Sequence, residues 1–170
     1  MSAKLKASIF TTLFSSIGGV VIYKNFNWSL LPLILFYVVL MINTYFSIEF
    51  FSRIIPKKRL EQEIIDLLLV FSYLFLALSF NNSVWYVLFA TILFVVATLK
   101  YIFLLGIVDL KILKKKMIID GFGIMLCVLA LVVCFTGWEV ITTWVWSLIF
   151  LLANIYLLFI RPMYKFDDRK

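Results

Sequence analysis

The chain has 170 residues, of which 65% are hydrophobic and only 15% charged, and its mean hydropathy is +1.11. Soluble domains are about 45–50% apolar, so a water-soluble fold of this length is excluded and the solvent must be largely lipid. The formal net charge is +7 and there is no histidine, which excludes histidine-ligated metals, bis-histidine haem and Ser-His or Cys-His nucleophilic pairs.

A spanning helix needs about 20 mostly apolar residues, and six stretches are expected to be such helices. The first covers about 7–23. Lys4 and Lys6 precede it, as in a signal peptide, but no A-x-A-like cleavage site follows, so it is read as a retained helix. Thr11, Ser15 and Gly19 recur every four residues and share a face. Such small-residue stripes let helix backbones approach closely in lipid, so this one is a candidate helix-packing seam.

The second span is expected at about 29–51, with Pro32 in its first turn, where a missing N–H costs nothing. Asn43 lies in its inner half and Glu49 at its inner end. A basic break then runs from Ser52 to Arg59 with Arg53, Lys57, Lys58 and Arg59. The third span, about 62–80, opens with Glu61, Glu63 and Asp66, acidic groups that suit the positive end of a helix dipole.

The fourth span covers about 84–108 and is interrupted by Lys100. Either the span ends there, the ammonium snorkelling to the interface and the rest forming a cytoplasmic or interfacial helix that ends in Lys114–Lys116, or one long helix tilts and protrudes towards Lys111. The long helix is the reading adopted. The fifth, about 117–136, carries Asp120 near its start and holds Cys127 and Cys134. At seven residues apart these cysteines are separated by about 10.5 Å of helical rise, too far for a disulfide. The sixth, about 140–160, contains Asn154 and ends at Arg161-Pro162, where proline discourages further helix.

Six spans bring both termini to one side. That side holds Lys4, Lys6, Arg53, Lys57, Lys58, Arg59, Lys111, Lys114, Lys115, Lys116, Arg161, Lys165, Arg169 and Lys170, fourteen of the sixteen Lys and Arg. The positive-inside rule makes it the cytoplasm. The tryptophans Trp28, Trp85, Trp138, Trp144 and Trp146 fall near the opposite ends and are expected to form an outer aromatic belt. A sharper alternative is an outward pocket lined by Trp85, Trp144 and Trp146. The expected fold is therefore all-α: one transmembrane domain over 1–170, six helices in three hairpins, with both termini on the cytoplasmic face of the cytoplasmic (inner) membrane.

Polar residues inside a bilayer suggest function. Asn43, Glu49, Asp66, Lys100, Asp120 and Asn154 all map to the cytoplasmic half and are the candidate inner-leaflet polar layer. No carboxylate maps to the midplane, where ion-coupled transporters commonly bind. Arg53, Lys57, Lys58, Arg59, Lys114, Lys115, Lys116 and Arg161 are candidates for contact with anionic lipid headgroups or an acidic partner. No P-loop, G-x-S-x-G or CxxC motif is present. No metal, cofactor or nucleic-acid partner is expected.

The function expected first is a non-enzymatic subunit of a membrane assembly, related to transport or a channel, joined to copies of itself or to another membrane or cytosolic subunit. A small transporter or lipid-handling protein with its own cavity stands beside it. So do a lipid-modifying enzyme using Asp66 or Asp120, and a membrane sensor or effector with a soluble partner. An enclosed polar cavity reaching Asn43 and Asn154 would separate the first two.

Overall fold

A computed structural model of the chain describes residues 2–55 and 60–164. Among them the structure is helical with no strand, in the order α1 (Ala3–Asn25), a 3-10 turn (Trp28–Leu30), α2 (Leu31–Ile54), α3 (Leu60–Leu78), α4 (Ser83–Phe103), α5 (Leu110–Cys134) and α6 (Glu139–Ile155). The last turn of α6 widens into a π-helical turn over Tyr156–Ile160, where the Arg161 amide reaches back to the Tyr156 carbonyl.

Local chemistry sets the helix ends. The Ser2 hydroxyl accepts from the Leu5 amide at 3.2 Å and starts α1. Pro32 occupies the first turn of α2. The Asn82 side chain accepts from the Trp85 amide at 3.1 Å and starts α4, and the Asp109 carboxylate accepts from Lys111 at 2.8 Å and starts α5. Each satisfies an orphan first-turn donor, worth about 1 kcal/mol.

The sharpest departure from the sequence reading lies between α4 and α5. No long fourth helix protrudes to Lys111: α4 stops at Phe103, and Gly106 turns the chain with φ +83°. That conformation is open to glycine and strained for other residues. The segment after the turn is the start of α5, so Lys114, Lys115 and Lys116 lie in the first turns of the fifth helix, which begins at Leu110 rather than near 117.

Five helical segments are long and apolar enough to cross a membrane: Ala3–Asn25, Trp28–Ile54, Ser83–Phe103, Leu110–Cys134 and Glu139–Ile160. The expected third span is a helix, α3, but Glu61, Glu63 and Asp66 leave only Leu67–Leu78 uncharged, short for a crossing by composition alone. The outward faces are apolar too, as at Leu13 and Val20 on α1, Phe71 and Phe75 on α3, and Leu129 and Val132 on α5. Apolar residues inside and outside alike are the pattern of a multi-pass membrane protein.

Two apolar clusters hold the bundle. The larger packs Phe36, Leu33 and Leu40 of α2 against Leu76, Phe80, Tyr86, Phe94 and Trp146. The smaller joins Phe50 and Phe51 of α2 to Tyr101, Leu104, Val108 and Leu113. In lipid, helix association rests on close packing and interhelical hydrogen bonds of about 0.6–2 kcal/mol each. Three such bonds converge on backbone carbonyls: Tyr37 donates to Phe14 at 2.8 Å, Tyr86 to Leu33 at 3.1 Å and Ser147 to Pro32 at 2.7 Å. The first depends on Gly18, where a Cβ would stand 2.7 Å from the Tyr37 ring.

Candidate functional site

Between the two apolar clusters the helices form a partly open cavity of about 530 Å³, within the roughly 300–1,000 Å³ typical of small-molecule sites. Around it α4 packs directly on both α3 and α5. One face of α2 lines it with Leu40, Asn43, Thr44, Ser47 and Phe51, at helical spacings of three and four residues. From α3 come Gln62, Asp66, Leu69, Val70 and Tyr73; from α4, Leu93, Phe94, Lys100 and Tyr101; from α5, Lys116 and Asp120; and from α1, Lys6 and Phe10. Asn43 lies eleven residues before the end of α2, so the polar face of the cavity on α2 reaches about 16 Å up from the basic end at 1.5 Å per residue, and Leu40 lines it one turn further.

Its polar wall is built from two ion pairs. Lys100 Nζ meets Asp66 Oδ1 at 2.6 Å and ties α4 to α3. Lys116 Nζ meets Asp120 Oδ1 at 3.4 Å on one face of α5, with the side chains 6% and 4% exposed. The Lys116 ammonium also lies 5.8 Å from the Tyr101 ring centre and 5.7 Å from that of Tyr164, within cation–π range. Tyr164, beyond α6, donates to Asn43 Oδ1 at 3.1 Å and so fastens the segment after the last helix to α2. Thr44 and Tyr73 share a buried hydrogen bond between α2 and α3.

Of the six residues expected in an inner polar layer, Asn43, Asp66, Lys100 and Asp120 line this one cavity. Glu49 does not: it pairs with Arg53 one turn along α2. Asn154 does not either, since its amide donates to the Phe150 carbonyl of its own helix at 2.8 Å. Among the basic residues expected at a surface, Arg53, Lys114, Lys115 and Arg161 are exposed, whereas Lys116 is buried in the cavity wall. Lys57, Lys58 and Arg59 lie outside the described residues.

The stripe on α1 points away from its own bundle. Ser15 and Gly19 are exposed, Thr11 is half-buried with its hydroxyl donating to the Ala7 carbonyl at 2.9 Å, and the inward face of α1 is Ala7, Phe14 and Gly18. The expected tryptophan belt loses one member. Trp28, Trp85, Trp138 and Trp144 are exposed, but Trp146 is 4% exposed and stacks on Phe36 at 3.9 Å. The Trp146 ring faces the core, whereas Trp85 and Trp144 are exposed.

Tyr73, Tyr101, Thr44, Ser47 and Gln62 line the cavity without having been expected there. On α2 the signal was present as Asn43, Thr44 and Ser47 recurring on the face of Leu40 and Phe51. Among the described residues no cluster of three or more His, Cys, Asp or Glu side chains suits a metal ion, and Cys127 and Cys134 are free and buried.

No protein-family model, curated protein or solved structure matches the chain. Fold and site together define a multi-pass helical membrane protein with a charged and aromatic cavity towards its basic end.

Proposed function

We propose that this chain is a six-span protein of the cytoplasmic membrane, with both termini in the cytoplasm, that holds a small amphiphilic ligand in its own cavity within the cytoplasmic half of the bilayer. Its activity class is that of a small transporter or lipid-handling protein. The observation that carries this reading is the cavity of about 530 Å³ with two ion pairs and a polar α2 face on its wall. Charged side chains at membrane depth are costly and mark ligand or ion pathways. A protein acting only as a subunit in a larger assembly needs no such cavity.

The orientation rests on charge. The described basic residues at the cavity end include Lys4, Arg53, Lys111, Lys114, Lys115 and Arg161, while Lys24 stands at the other end with Trp28, Trp85 and Trp138. Lysines in the first turns of α5 oppose the helix dipole by about 0.3–1 kcal/mol each. An anionic lipid surface offsets this at about 1 kcal/mol per basic residue. The crossing of α3 is supported by its packing against α1 and α4 and by the Asp66–Lys100 pair.

The test uses Ser47→Cys in a Cys127→Ala/Cys134→Ala background. A membrane-impermeant thiol reagent should label it in inside-out vesicles and not in right-side-out ones, and lipid extract from the native membrane should slow labelling. Labelling from the outer side alone, or none in either vesicle, contradicts the reading.

A second reading, assembly with further copies of the chain, is favoured by the outward-facing Thr11, Ser15 and Gly19, where a Cβ on Gly19 would meet nothing within 4 Å. Oxidative cross-linking of Ser15→Cys in native membranes decides it: a covalent dimer supports assembly through α1, and its absence removes that surface.

A further inference from the structure

Resting on the cavity reading above, we infer that the ligand is an anionic single-chain amphiphile: one carboxylate or phosphate head on one apolar chain.

The sign comes from the wall charges. Three ammonium groups reach the cavity, Lys6, Lys100 and Lys116, against two carboxylates, Asp66 and Asp120. Asp66 is met by Lys100 at 2.6 Å and Asp120 by Lys116 at 3.4 Å. Lys6 is exposed at the rim and has no carboxylate within ion-pair distance among the described residues. The described wall therefore carries a surplus positive charge at its entrance. An anionic head placed there gains attraction without breaking either pair, whereas a cationic head meets repulsion.

The shape comes from the other side of the cavity. Beyond the polar wall the lining is apolar, with Phe10, Leu69, Val70, Leu93 and Phe94. A chain laid against these side chains leaves its head at the level of Lys6 and Lys100. The volume of about 530 Å³ accommodates one apolar chain with its head. The carboxylate of a fatty acid and the phosphate of a lysophospholipid share the required chemistry.

The experiment uses the full chain in phosphatidylcholine nanodiscs, with Ser47→Cys in the Cys127→Ala/Cys134→Ala background as reporter. Four single-chain probes are compared for protection of Ser47→Cys against thiol labelling: a long-chain fatty acid, lysophosphatidic acid, an alkyltrimethylammonium and a long-chain alcohol. A fluorescent fatty acid gives the affinity. The fatty acid, lysophosphatidic acid or both should protect, the cation and the alcohol should not, and the anion that protects names the source. Lys6→Glu should weaken binding by on the order of tenfold, while Lys24→Glu at the opposite end leaves it unchanged.

Protection by the alkylammonium or the alcohol equal to that by the anions overturns the anionic assignment and leaves the cavity reading standing. Anion binding that is indifferent to Lys6→Glu likewise overturns it. Protection by none of the four overturns both.

Discussion

Replacing Asp120 with leucine tests the buried pair on α5. Lys116 and Asp120 meet at 3.4 Å with 6% and 4% of their side chains exposed. Removing the carboxylate strands the ammonium in a low-dielectric interior, and breaking a buried pair in this way costs about 3–5 kcal/mol. The Tyr101 and Tyr164 rings already face Lys116 in the parent, so they do not offset the loss. A loss of about 3–5 kcal/mol lowers Tm by roughly 6–20 °C for a chain of this size. The double variant Lys116→Met/Asp120→Leu removes both charges, so it should be more stable than Asp120→Leu alone and recover most of the loss, since no uncompensated charge remains buried. The assay is thermal unfolding of the purified protein in one detergent, followed by tryptophan fluorescence. An unchanged Tm for Asp120→Leu, or a double variant no better than the single one, refutes the reasoning.

Other consequences follow from the helix contacts. Gly18→Ala drives a methyl to 2.7 Å from the Tyr37 ring and should destabilise by about 1–3 kcal/mol, as overpacking does, whereas Gly19→Ala should be neutral; the same melting assay compares them. Trp146→Ala removes the ring stacked on Phe36 and should cost about 3–5 kcal/mol, against about 0.5 kcal/mol or less for exposed Trp138→Ala. If Asp66 or Asp120 performed catalysis on a lipid, Asp66→Asn or Asp120→Asn would abolish product formation by membranes containing the protein; the ligand-holding account expects an unaltered lipid profile by mass spectrometry for both.

The helices were legible because long apolar runs separated by short polar breaks admit few other readings in lipid. The boundary between α4 and α5 was not. Leu104, Leu105, Ile107 and Val108 are as apolar as the helices beside them, so the signals were Gly106 and the N-cap residue Asp109, and one glycine inside an apolar run is compatible with continued helix. A helix extended through that run ends at Lys114–Lys116, where cations are electrostatically favoured. In fact they lie near the start of one, which moves Asp120 from a helix end to ten residues inside α5 and four from Lys116. The burial of Lys116 beside the exposed Lys114 and Lys115 depends on that register.

Hydropathy also fails to distinguish lipid-facing from core-facing side chains, since both are apolar. Trp146 was therefore grouped with the exposed tryptophans, although its ring packs in the core on Phe36. The same ambiguity hid the outward direction of Ser15 and Gly19. Four members of the polar layer were legible because charged and amide groups within apolar runs stand out. Glu49 and Asn154 stand out equally, but both are satisfied along their own helices.

The central claim is a six-span bundle whose cavity belongs to the cytoplasmic half, and the crossing of α3 tests it most directly. Single cysteines at Asn82 and Lys111, each in the Cys127→Ala/Cys134→Ala background, are labelled with an impermeant thiol reagent in sealed cells and in inside-out vesicles. The account predicts that Asn82→Cys reacts only from outside and Lys111→Cys only from inside. Asn82→Cys reacting from the inside and Lys111→Cys from the outside would mean that α3 does not cross or that the bundle is inverted, and either contradicts the account.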